Sequence, residues 1–402
     1  MRKILLRGGK DPFTPVSAID TLEKNILGTN SGNLIFSLAA HKTLSTPTQN
    51  ITMGGYTSKN WDAQQINAEY DYLVLPFANA FRLSWKKTLA NYIEVLKNVN
   101  IPIIILGVGV QASLNYNFKQ LKPINGLVKN FMDLVLQNSP SVGVRGECTA
   151  EYLKYLGYDS ESIDIIGCPS MFYYGAHLPL KKTSPIHKKS AIAFNASPYV
   201  TDIDKIALHN YEYYKKFFYI TQNNRDLNAL IYKSFPKTKK SSQLYDINSP
   251  IFTNNKMGQF IDPQPWFKFL AKQDFAFGTR IHGNIAALLA GTPCHVLAHD
   301  SRTLELAKYF EIPYSLYPKV PKDILAEELA AQSDYTQLLK NHPLRFETYQ
   351  QFLAKHNLDS IFNYNYLSKK YDNAYFNTKL SQTISSMPPT PTLLNTIQEW
   401  FK

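Results

Sequence analysis

Cysteine is scarce in this chain, and long apolar runs are missing from it. Three cysteines, Cys148, Cys168 and Cys294, occur among 402 residues, and no two of them form a CxxC pair. This pattern differs from that of a small disulfide-stapled domain or a zinc ribbon. No stretch approaches the roughly 18 consecutive apolar residues that cross a bilayer. We therefore expect reduced, buried thiols, no metal site and no transmembrane helix.

The amino-terminal segment carries little that resembles a targeting signal. Its basic start is followed by a short apolar run at residues 4–6, far shorter than the core of a signal peptide. We expect a cytoplasmic protein, and association with the inner face of the membrane stays open.

Acidic residues are fewer than basic ones. The chain has 43 Lys and Arg against 31 Asp and Glu, a net charge of +12. Such an excess favours an anionic partner, for example a phosphorylated small molecule, a diphosphate-linked lipid or nucleic acid, or it serves only solubility. The basic run at residues 237–240 has no nucleic-acid-binding signature around it. We interpret it as a solvated loop and expect no nucleic-acid partner.

Strand-like and helix-like segments alternate along most of the chain. The strand-like runs are residues 4–6, 72–76, 101–106, 142–144, 163–166, 191–195, 274–277 and 295–298. The helix-like segments are residues 34–44, 85–97, 131–137, 150–156, 203–220, 226–233, 285–290 and 304–310. Alternation of this kind predicts the α/β class, with helices covering parallel sheets.

The length favours two domains, and a polar, lysine-rich segment at residues 177–189 indicates the boundary between them. We predict an N-terminal domain over residues 1–185 and a C-terminal domain over residues 186–320. The remaining residues, 321–402, are predicted to form a mainly helical extension with helices at 323–339 and 345–356.

The densest polar group follows the strand predicted at residues 274–277. Arg280, His282 and Asn284 lie between that strand and the next helix. Ligands bind at the carboxyl ends of parallel strands, and helix N-termini attract anions. A cation, an imidazole and an amide at such a place predict an anionic ligand and a proton transfer. A histidine at a helix start also commonly has a structural role.

Further polar groups follow other predicted strands. His299, Asp300 and Arg302 come after the strand at residues 295–298, and Arg145 comes after the strand at 142–144. Because strand ends of one parallel sheet gather at one edge, the groups around residues 280 and 300 are expected to line one pocket. Arg145 could bind a ligand or pair with a neighbouring acid on the surface.

The loop at residues 29–33 precedes the first predicted helix and contains Asn30 and Asn33. One interpretation is a ligand loop at the sheet edge. The other is an ordinary helix cap, which the spacing alone favours.

The segment 278–284, GTRIHGN, with HDSRT at 299–303, resembles the polysaccharide pyruvyl transferase family. VRGE at 144–147, IGCPS at 166–170 and NSGN at 30–33 reinforce the resemblance, which extends over roughly residues 28–313. It implies two Rossmann-like domains facing a cleft, as in B-type glycosyltransferases. It also implies transfer of a pyruvyl group from phosphoenolpyruvate to two hydroxyls of a sugar. The products are a cyclic ketal, on a cell-surface polysaccharide or its precursor, and phosphate.

The resemblance also implies roles for residues. Arg145 and His282 match the phosphoenolpyruvate site, with His282 as the general acid. Arg302 matches a basic position after the last strand that varies between Lys and Arg in the family. The full expected donor site is Arg145, Arg280, His282, Asn284 and Arg302.

The base and the acceptor side are less defined by the resemblance. The candidates for these roles are Asn30, Asn33, His299 and Asp300, with Asn79 and Arg82 expected to face the acceptor from the first domain. Phosphoenolpyruvate is a co-substrate in this scheme, and no cofactor or metal is expected. The acceptor partner is a glycan or a lipid-linked sugar, and the oligomeric state is not given by the sequence.

Two other interpretations compete with pyruvyl transfer. A B-type glycosyltransferase would share the fold and the cleft but would bind a nucleotide sugar, with Glu305 as the candidate carboxylate for its ribose. A non-catalytic protein that binds nucleic acid or glycan is suggested by charge alone. The polar residues cluster at strand ends and do not form a basic stripe along the chain, which favours an enzyme over such a binding protein.

Overall fold

The computed structural model describes residues 1–181, 184–197, 199–235, 242–381 and 383–385. Its two largest sheets are built from parallel strands with helices packed around them, and they belong to two Rossmann-like domains that face a cleft. The predicted α/β class is therefore confirmed. The basic run at 237–240 and residues 386–402 of the predicted extension lie outside the described residues.

The first sheet has the strand order β2-β1-β3-β4, all parallel. Its strands and the pair that follows them are β1 (Arg2–Leu6), β2 (Gln49–Met53), β3 (Tyr72–Pro76), β4 (Ile103–Leu106), β5 (Val142–Val144) and β6 (Ile163–Ile165). The strands β5 and β6 pair in parallel, and a bridge between Val108 and Val144 joins them to the segment after β4. Strands β3 and β4 are apolar throughout because both faces of the sheet are covered.

Six helices accompany this first set of strands. They are α1 (Ala18–Glu23), α2 (Gly32–Leu44), α3 (Ala63–Glu69), α4 (Lys86–Leu96), α5 (Lys122–Asn138) and α6 (Glu147–Tyr155). Helix α2 is buried along nearly its whole length, and its apolar side chains share one core cluster with those of the second sheet.

The second sheet has the order β12-β11-β10-β7-β8-β9-β13, in which the β13 edge strand is antiparallel. Its strands are β7 (Ala191–Asn195), β8 (Lys216–Thr221), β9 (Met257–Gln259), β10 (Phe275–Gly278), β11 (Cys294–Ala298), β12 (Tyr314–Leu316) and β13 (Ile384–Ser385). Its helices are α7 (Ile203–Tyr213), α8 (Asn224–Tyr232), α9 (Pro250–Thr253), α10 (Pro263–Leu270), α11 (Ile281–Leu289) and α12 (Ser301–Phe310).

The prediction of one helix over residues 203–220 is wrong in its second half. Helix α7 ends at Tyr213, and residues 216–221 form the buried strand β8 between β7 and β9. The segment KFFYIT is aromatic and β-branched, which suits a buried strand, but an apolar run of this length has no decisive periodicity.

The carboxyl-terminal part adds α13 (Ala326–Ala331), α14 (Thr336–Lys355) and α15 (Asn365–Asn377). The predicted break between residues 339 and 345 is wrong, because α14 continues through Pro343. Helix α15 contacts both sheets' helices: Asp372 accepts hydrogen bonds of 2.7 and 2.8 Å from the buried Lys42 ammonium of α2, and the Tyr375 carbonyl accepts one of 2.8 Å from Gln264 of α10. None of the described helices combines the length and apolarity needed to cross a bilayer.

Both sheets have a topological switch point, where the strand order reverses and loops diverge to leave a crevice. In the first sheet it lies between β1 and β3, and in the second between β7 and β10. The loops after these strands line the same cleft. The two switch points therefore place the polar segment after β3 of the first sheet opposite the polar segments after β7 and β10 of the second sheet.

Candidate active site in the interdomain cleft

A cleft of about 770 Å³ lies between the carboxyl ends of the two sheets. Its lining includes six arginines: Arg7, Arg82, Arg145, Arg225, Arg280 and Arg302. None of the described residues that line it is Asp or Glu. A concave site with this excess of fixed positive charge binds an anion strongly, because a guanidinium cannot lose its proton to relieve the repulsion.

Arg145 is the most enclosed cation of the cleft, at 1 % exposure. It directly follows β5, and its Nε donates a hydrogen bond of 3.0 Å to the Gly107 carbonyl. Its Nη2 has no partner among the described residues. A Cβ at Gly109 would lie 2.7 Å from Arg145 Cδ, so glycine is required for this approach. Burial lowers the pKa of Arg145, as expected for a charge held ready for an anion.

Arg302 is held in place by two neighbours at the start of α12. Its Nε donates to Asp300 Oδ2 at 2.6 Å, and its Nη2 donates to the Tyr199 hydroxyl at 2.5 Å. Asp300 caps α12 by accepting from the Thr303 amide at 3.1 Å. Burial is the largest single effect and acts to raise the pKa of Asp300, but the charges of Arg302 and His299 and the hydrogen bonds from Arg302 and Thr303 together outweigh it, and the pKa is lowered. Asp300 is thus an ionised carboxylate that serves the helix cap and Arg302 and does not line the cleft.

Arg82 belongs to the same group of cations as Arg145 and Arg302. Its Nη1 donates to Asn79 Oδ1 at 2.9 Å, while its Nε is buried without a partner among the described residues. The pKa of Arg82 is lowered to about 10 by burial first and by the charges of Arg302 and Arg145 next. The sequence predicts Arg82 on the acceptor side. In the structure it lies close enough to Arg302 and Arg145, two arginines of the expected donor site, for their charges to lower its pKa.

Arg280 lies at the turn between β10 and α11. Its backbone amide donates to Asn195 Oδ1 at 2.8 Å, its Nε donates to the Ala196 carbonyl at 3.1 Å, and its Nη2 donates to Asn223 Oδ1. Asn284 is fully buried beneath this turn and donates to the carbonyls of Gly278 and Arg280 at 3.1 and 3.0 Å. The amide of Asn284 therefore braces the turn and does not line the cleft.

His282 lies at the first turn of α11, 8 % exposed, with its ring in the cleft lining. Its Nε2 is 3.6 Å from the Cys168 thiol, which also lies 3.3 Å from the Ser170 hydroxyl. A Cβ at Gly32 would lie 2.5 Å from the Cβ of His282, so helix α2 of the first domain supports the imidazole. Burial lowers the pKa of His282 well below its usual value, and the nearby arginines lower it further. The imidazole is therefore neutral at pH 7 in this structure.

His299 does not line the cleft. Its Nε2 lies 3.4 Å from Asp300 Oδ2, and burial lowers its pKa to about 4. The expected pocket shared by all the polar groups after β10 and β11 thus contains Arg280, His282 and Arg302. The other three side chains of that set, Asn284, His299 and Asp300, point into the protein around it.

Asn30 and Asn33 both line the cleft and both support local backbone. Asn30 Oδ1 accepts from the Gly32 amide at 2.8 Å, and Asn33 Nδ2 donates to the carbonyls of Leu27 and Gly28 at 3.0 Å each. A backbone bridge joins Asn30 to Asn223 of the second domain. The loop at residues 29–33 is thus a helix start that also closes one end of the cleft.

Sequence reasoning missed Gln222, the residue directly after β8. Gln222 is 1 % exposed, lines the cleft, and neither Nε2 nor Oε1 has a partner among the described residues. It was missed because β8 was interpreted as part of a helix, which concealed a strand end. An amide following a buried strand would have been the signal.

Glu305, the carboxylate expected for a nucleotide sugar, is buried elsewhere. Its Oε1 accepts from the Thr149 amide at 2.7 Å, in the first turn of α6, and it does not line the cleft. Burial raises the pKa of Glu305 to about 7. This carboxylate connects α12 to α6, and the glycosyltransferase interpretation loses its candidate residue. No group of three or more His, Cys, Asp or Glu side chains suited to a metal ion occurs in the described part of the chain.

Comparisons with solved structures give only distant similarities. UDP-GlcNAc 2-epimerase from Methanocaldococcus jannaschii is 11% identical, with 88% of this chain and 99% of that chain covered and a TM-score of 0.45. Anabaena HepE, solved with UDP and glucose, is 11% identical over 93% and 100% of the two chains, with a TM-score of 0.44. An uncharacterized Klebsiella pneumoniae protein is 13% identical over 81% and 92%, with a TM-score of 0.39.

The comparison with curated proteins found no match. The sequence model of the family described as polysaccharide pyruvyl transferase matches residues 30–301. This match covers more than half of the chain, and it contains four of the six arginines of the cleft as well as His282. It ends at Ser301, one residue before Arg302. The chain therefore belongs to the polysaccharide pyruvyl transferase family.

Proposed function

We propose that this pyruvyl transferase takes its pyruvyl group from phosphoenolpyruvate and forms a cyclic ketal with two hydroxyls of a sugar, releasing phosphate. Membership of the family already indicates pyruvylation of polysaccharide in general. The observation that carries the finer proposal is the cleft itself, with six arginines, no acid in its described lining, and His282 among them. Phosphoenolpyruvate has two anionic groups and needs one proton on carbon, which matches this set.

The two anionic groups of the donor would bind the arginines that repel one another in its absence. The charges of Arg302 and Arg145 lower the pKa of Arg82, and the charge of Arg302 also lowers that of Arg145. Arg145, Arg302 and Arg280 together act on His282. A guanidinium binds carboxylate or phosphate through two parallel hydrogen bonds. Binding of the donor would replace cation–cation repulsion by such pairs, so the gain in electrostatic energy is large.

The reaction balances without a metal, a redox cofactor or another co-reactant. A proton adds to the methylene carbon of phosphoenolpyruvate, and the central carbon becomes an oxocarbenium-like centre. One sugar hydroxyl attacks that carbon and loses its proton. The bond from this carbon to the phosphate oxygen then breaks, and the second hydroxyl attacks and loses its proton. One of the two protons replaces the one used on carbon, and the other leaves on the phosphate.

His282 is the group best placed to supply the proton to carbon. Its imidazole is neutral in this structure because it is buried beside three arginines. A bound trianion would offset those charges and favour the imidazolium, so the pKa of His282 would rise towards neutrality when the donor binds. The acid would then be charged only when its substrate is present, which suits a general acid.

For the second hydroxyl proton we propose the departing phosphate as the acceptor. Asp300 is committed to Arg302 and to the cap of α12, and His299 lies behind it outside the lining. Asn30 is an amide that already accepts a hydrogen bond from Gly32. The phosphate, in contrast, is in the cleft and becomes more basic as it leaves.

The body of the acceptor would lie along the wall formed by the first domain, residues 1–185, with its reacting hydroxyls reaching the second domain, residues 186–320. The donor would bind on that second domain around Arg280 and His282, with Arg145 of the first domain completing its site. The first-domain wall includes Asn33, Thr57, Ser84, Trp85 and Thr88, which combine hydroxyls and an amide with an aromatic ring. Such a surface suits a glycan or a lipid-linked sugar. We place the reaction in the cytoplasm, on the inner side of the membrane, where phosphoenolpyruvate is made.

The experiment uses [3-13C]phosphoenolpyruvate and the polysaccharide of the source organism, freed of ketals by mild acid. In D2O, the proposal predicts a labelled ketal methyl group on the polysaccharide that carries one deuterium, with one phosphate released per ketal. Release of phosphate without labelled polysaccharide, or a methylene that stays unprotonated in the product, would refute ketal formation.

A further inference from the structure

Arg82, Arg145 and Gln222 of the cleft have buried polar atoms without hydrogen-bond partners among the described residues, and the glutamine differs in chemistry from the arginines. Arg145 Nη2 is a donor only, whereas Gln222 offers a donor, Nε2, and an acceptor, Oε1. Both residues are 1 % exposed, and both line the cleft. Buried polar groups are normally paired, and unpaired ones at a binding site indicate what the ligand must supply.

The backbone around Gln222 is firmly held, so its unpaired amide does not reflect a loose segment. The Gln222 carbonyl accepts hydrogen bonds from the amide and the hydroxyl of Ser31, at 2.8 and 3.3 Å. The neighbouring Asn223 is bridged to Asn30 and accepts a bond from Arg280. The side chain is thus fixed at its base in a cleft wall whose other amides are nearly all paired.

The donor substrate cannot satisfy this amide. Phosphoenolpyruvate at neutral pH has a carboxylate and a phosphate, which accept hydrogen bonds and donate none. It could pair with Nε2, but Oε1 would then face an anion. A sugar diol meets both requirements, because one hydroxyl accepts from Nε2 while its neighbour donates to Oε1.

The position of Gln222 agrees with this chemistry. A Cβ at Gly283 would lie 2.7 Å from Gln222 Nε2, so the amide packs against the residue next to His282. A diol bound there would lie beside the general acid, where the central carbon of the donor must be. We propose that Gln222 binds the two hydroxyls of the acceptor sugar that become bridged by the ketal. This inference rests on the proposed pyruvyl transfer.

The test compares the wild type with Gln222→Met, which keeps the length of the side chain and removes both polar atoms. Melting of each protein is followed with and without millimolar phosphoenolpyruvate, and turnover is measured with the ketal-free polysaccharide. Gln222→Met should keep the shift caused by phosphoenolpyruvate, and its KM for polysaccharide should rise about tenfold or more, the value of one or two hydrogen bonds. Its melting temperature without ligand should rise, because two unpaired buried atoms are removed.

Gln259→Met is the matched control, since its amide is buried but paired. Gln259 Nε2 donates to the Ser31 hydroxyl at 3.1 Å, and its Oε1 accepts from the Thr221 hydroxyl at 2.9 Å. This variant should melt at a lower temperature and keep its KM for polysaccharide. If phosphoenolpyruvate no longer raises the melting temperature of Gln222→Met, Gln222 binds the donor. If the KM for polysaccharide is unchanged, Gln222 does not bind the acceptor. Either result overturns the inference. If phosphoenolpyruvate fails to shift the wild type, the proposed function fails instead.

Discussion

At the residue scale, the imidazole of His282 is held by neutral partners and surrounded by cations. Its Nε2 contacts the Cys168 thiol, and no carboxylate hydrogen-bonds to the ring in the described part of the chain. A carboxylate partner would keep the imidazole protonated. A neutral thiol does not, so the protonation state of His282 depends on whether an anion is bound in the cleft. Protonation of His282 should therefore be coupled to binding of the anionic donor.

This coupling predicts proton uptake when phosphoenolpyruvate binds near pH 7. Titration calorimetry in buffers of different ionisation enthalpy gives the number of protons taken up per ligand. His282→Gln, which cannot be protonated, should take up fewer protons than the wild type, by up to one per ligand. Because the phosphate of the ligand also titrates, the difference between the two proteins is the quantity that matters. Equal proton uptake in both would show that His282 stays neutral in the complex.

The lining of the cleft shows which side chains a sequence can and cannot assign. Arg145, Arg280, His282 and Arg302 follow predicted strands and do line it. Asn284, which follows the same strand as His282, turns inward because spacing along a helix start does not give the direction of a side chain. The effect of Arg302 and Arg145 on the pKa of Arg82 depends on the packing of three loops, which no local pattern contains.

At the element scale, the first turns of α12 join the two domains. The Ser301 hydroxyl accepts a hydrogen bond of 2.7 Å from the Ala112 amide, and Glu305 accepts one of 2.7 Å from the Thr149 amide in α6. Arg302 is the second residue of α12, and α6 begins two residues after Arg145. The same contacts that connect the domains thus set the distance between two cations of the cleft.

Glu305→Leu tests this connection. The change leaves the Thr149 amide buried without an acceptor, which should lower the free energy of unfolding by about 1–3 kcal/mol. Glu305→Gln keeps an acceptor oxygen and should change stability much less. Denaturant unfolding measures both. Equal stability of the two variants would show that the contact between α12 and α6 contributes nothing through this hydrogen bond.

Elements were predictable where the sequence pattern is unambiguous. The β-branched strand β4 and the strand–turn–helix unit from β10 to α11 occur where periodicity and glycine punctuation predict them. Strand β8 was not recognised because an aromatic run suits a buried strand and a buried helix alike. The continuation of α14 through Pro343 depends on packing against other elements and cannot be derived from proline propensity.

At the scale of the whole molecule, several buried groups make stability depend on pH. Burial lowers the pKa of His41, His295, His299 and His342 to about 4. The unfolded chain binds protons on these histidines near pH 6.5, and the folded chain does not, so stability falls as the pH drops below that value. Asp226 and Glu305, with pKa values raised to about 6 and 7, act in the opposite direction.

The histidines outnumber the two carboxyl groups, and His282 adds to them. We therefore expect the melting temperature to decrease steadily from pH 7 to pH 5, with each uncompensated proton contributing about 1.4 kcal/mol per pH unit. Calorimetry across this range measures it. A melting temperature that stays constant or rises on acidification would contradict the buried, neutral state of these imidazoles.

The central claim is that the arginine-lined cleft binds phosphoenolpyruvate, and thermal stability with this ligand tests it most directly. At 100 times its dissociation constant, a ligand adds about 2.7 kcal/mol, which is visible as a shift in melting temperature. Phosphoenolpyruvate should shift the wild type more than nucleotide sugars or inorganic phosphate do. Arg145→Met should abolish the shift while melting no lower than the wild type without ligand, because it removes an unpaired buried charge. A shift with a nucleotide sugar and none with phosphoenolpyruvate would contradict the account.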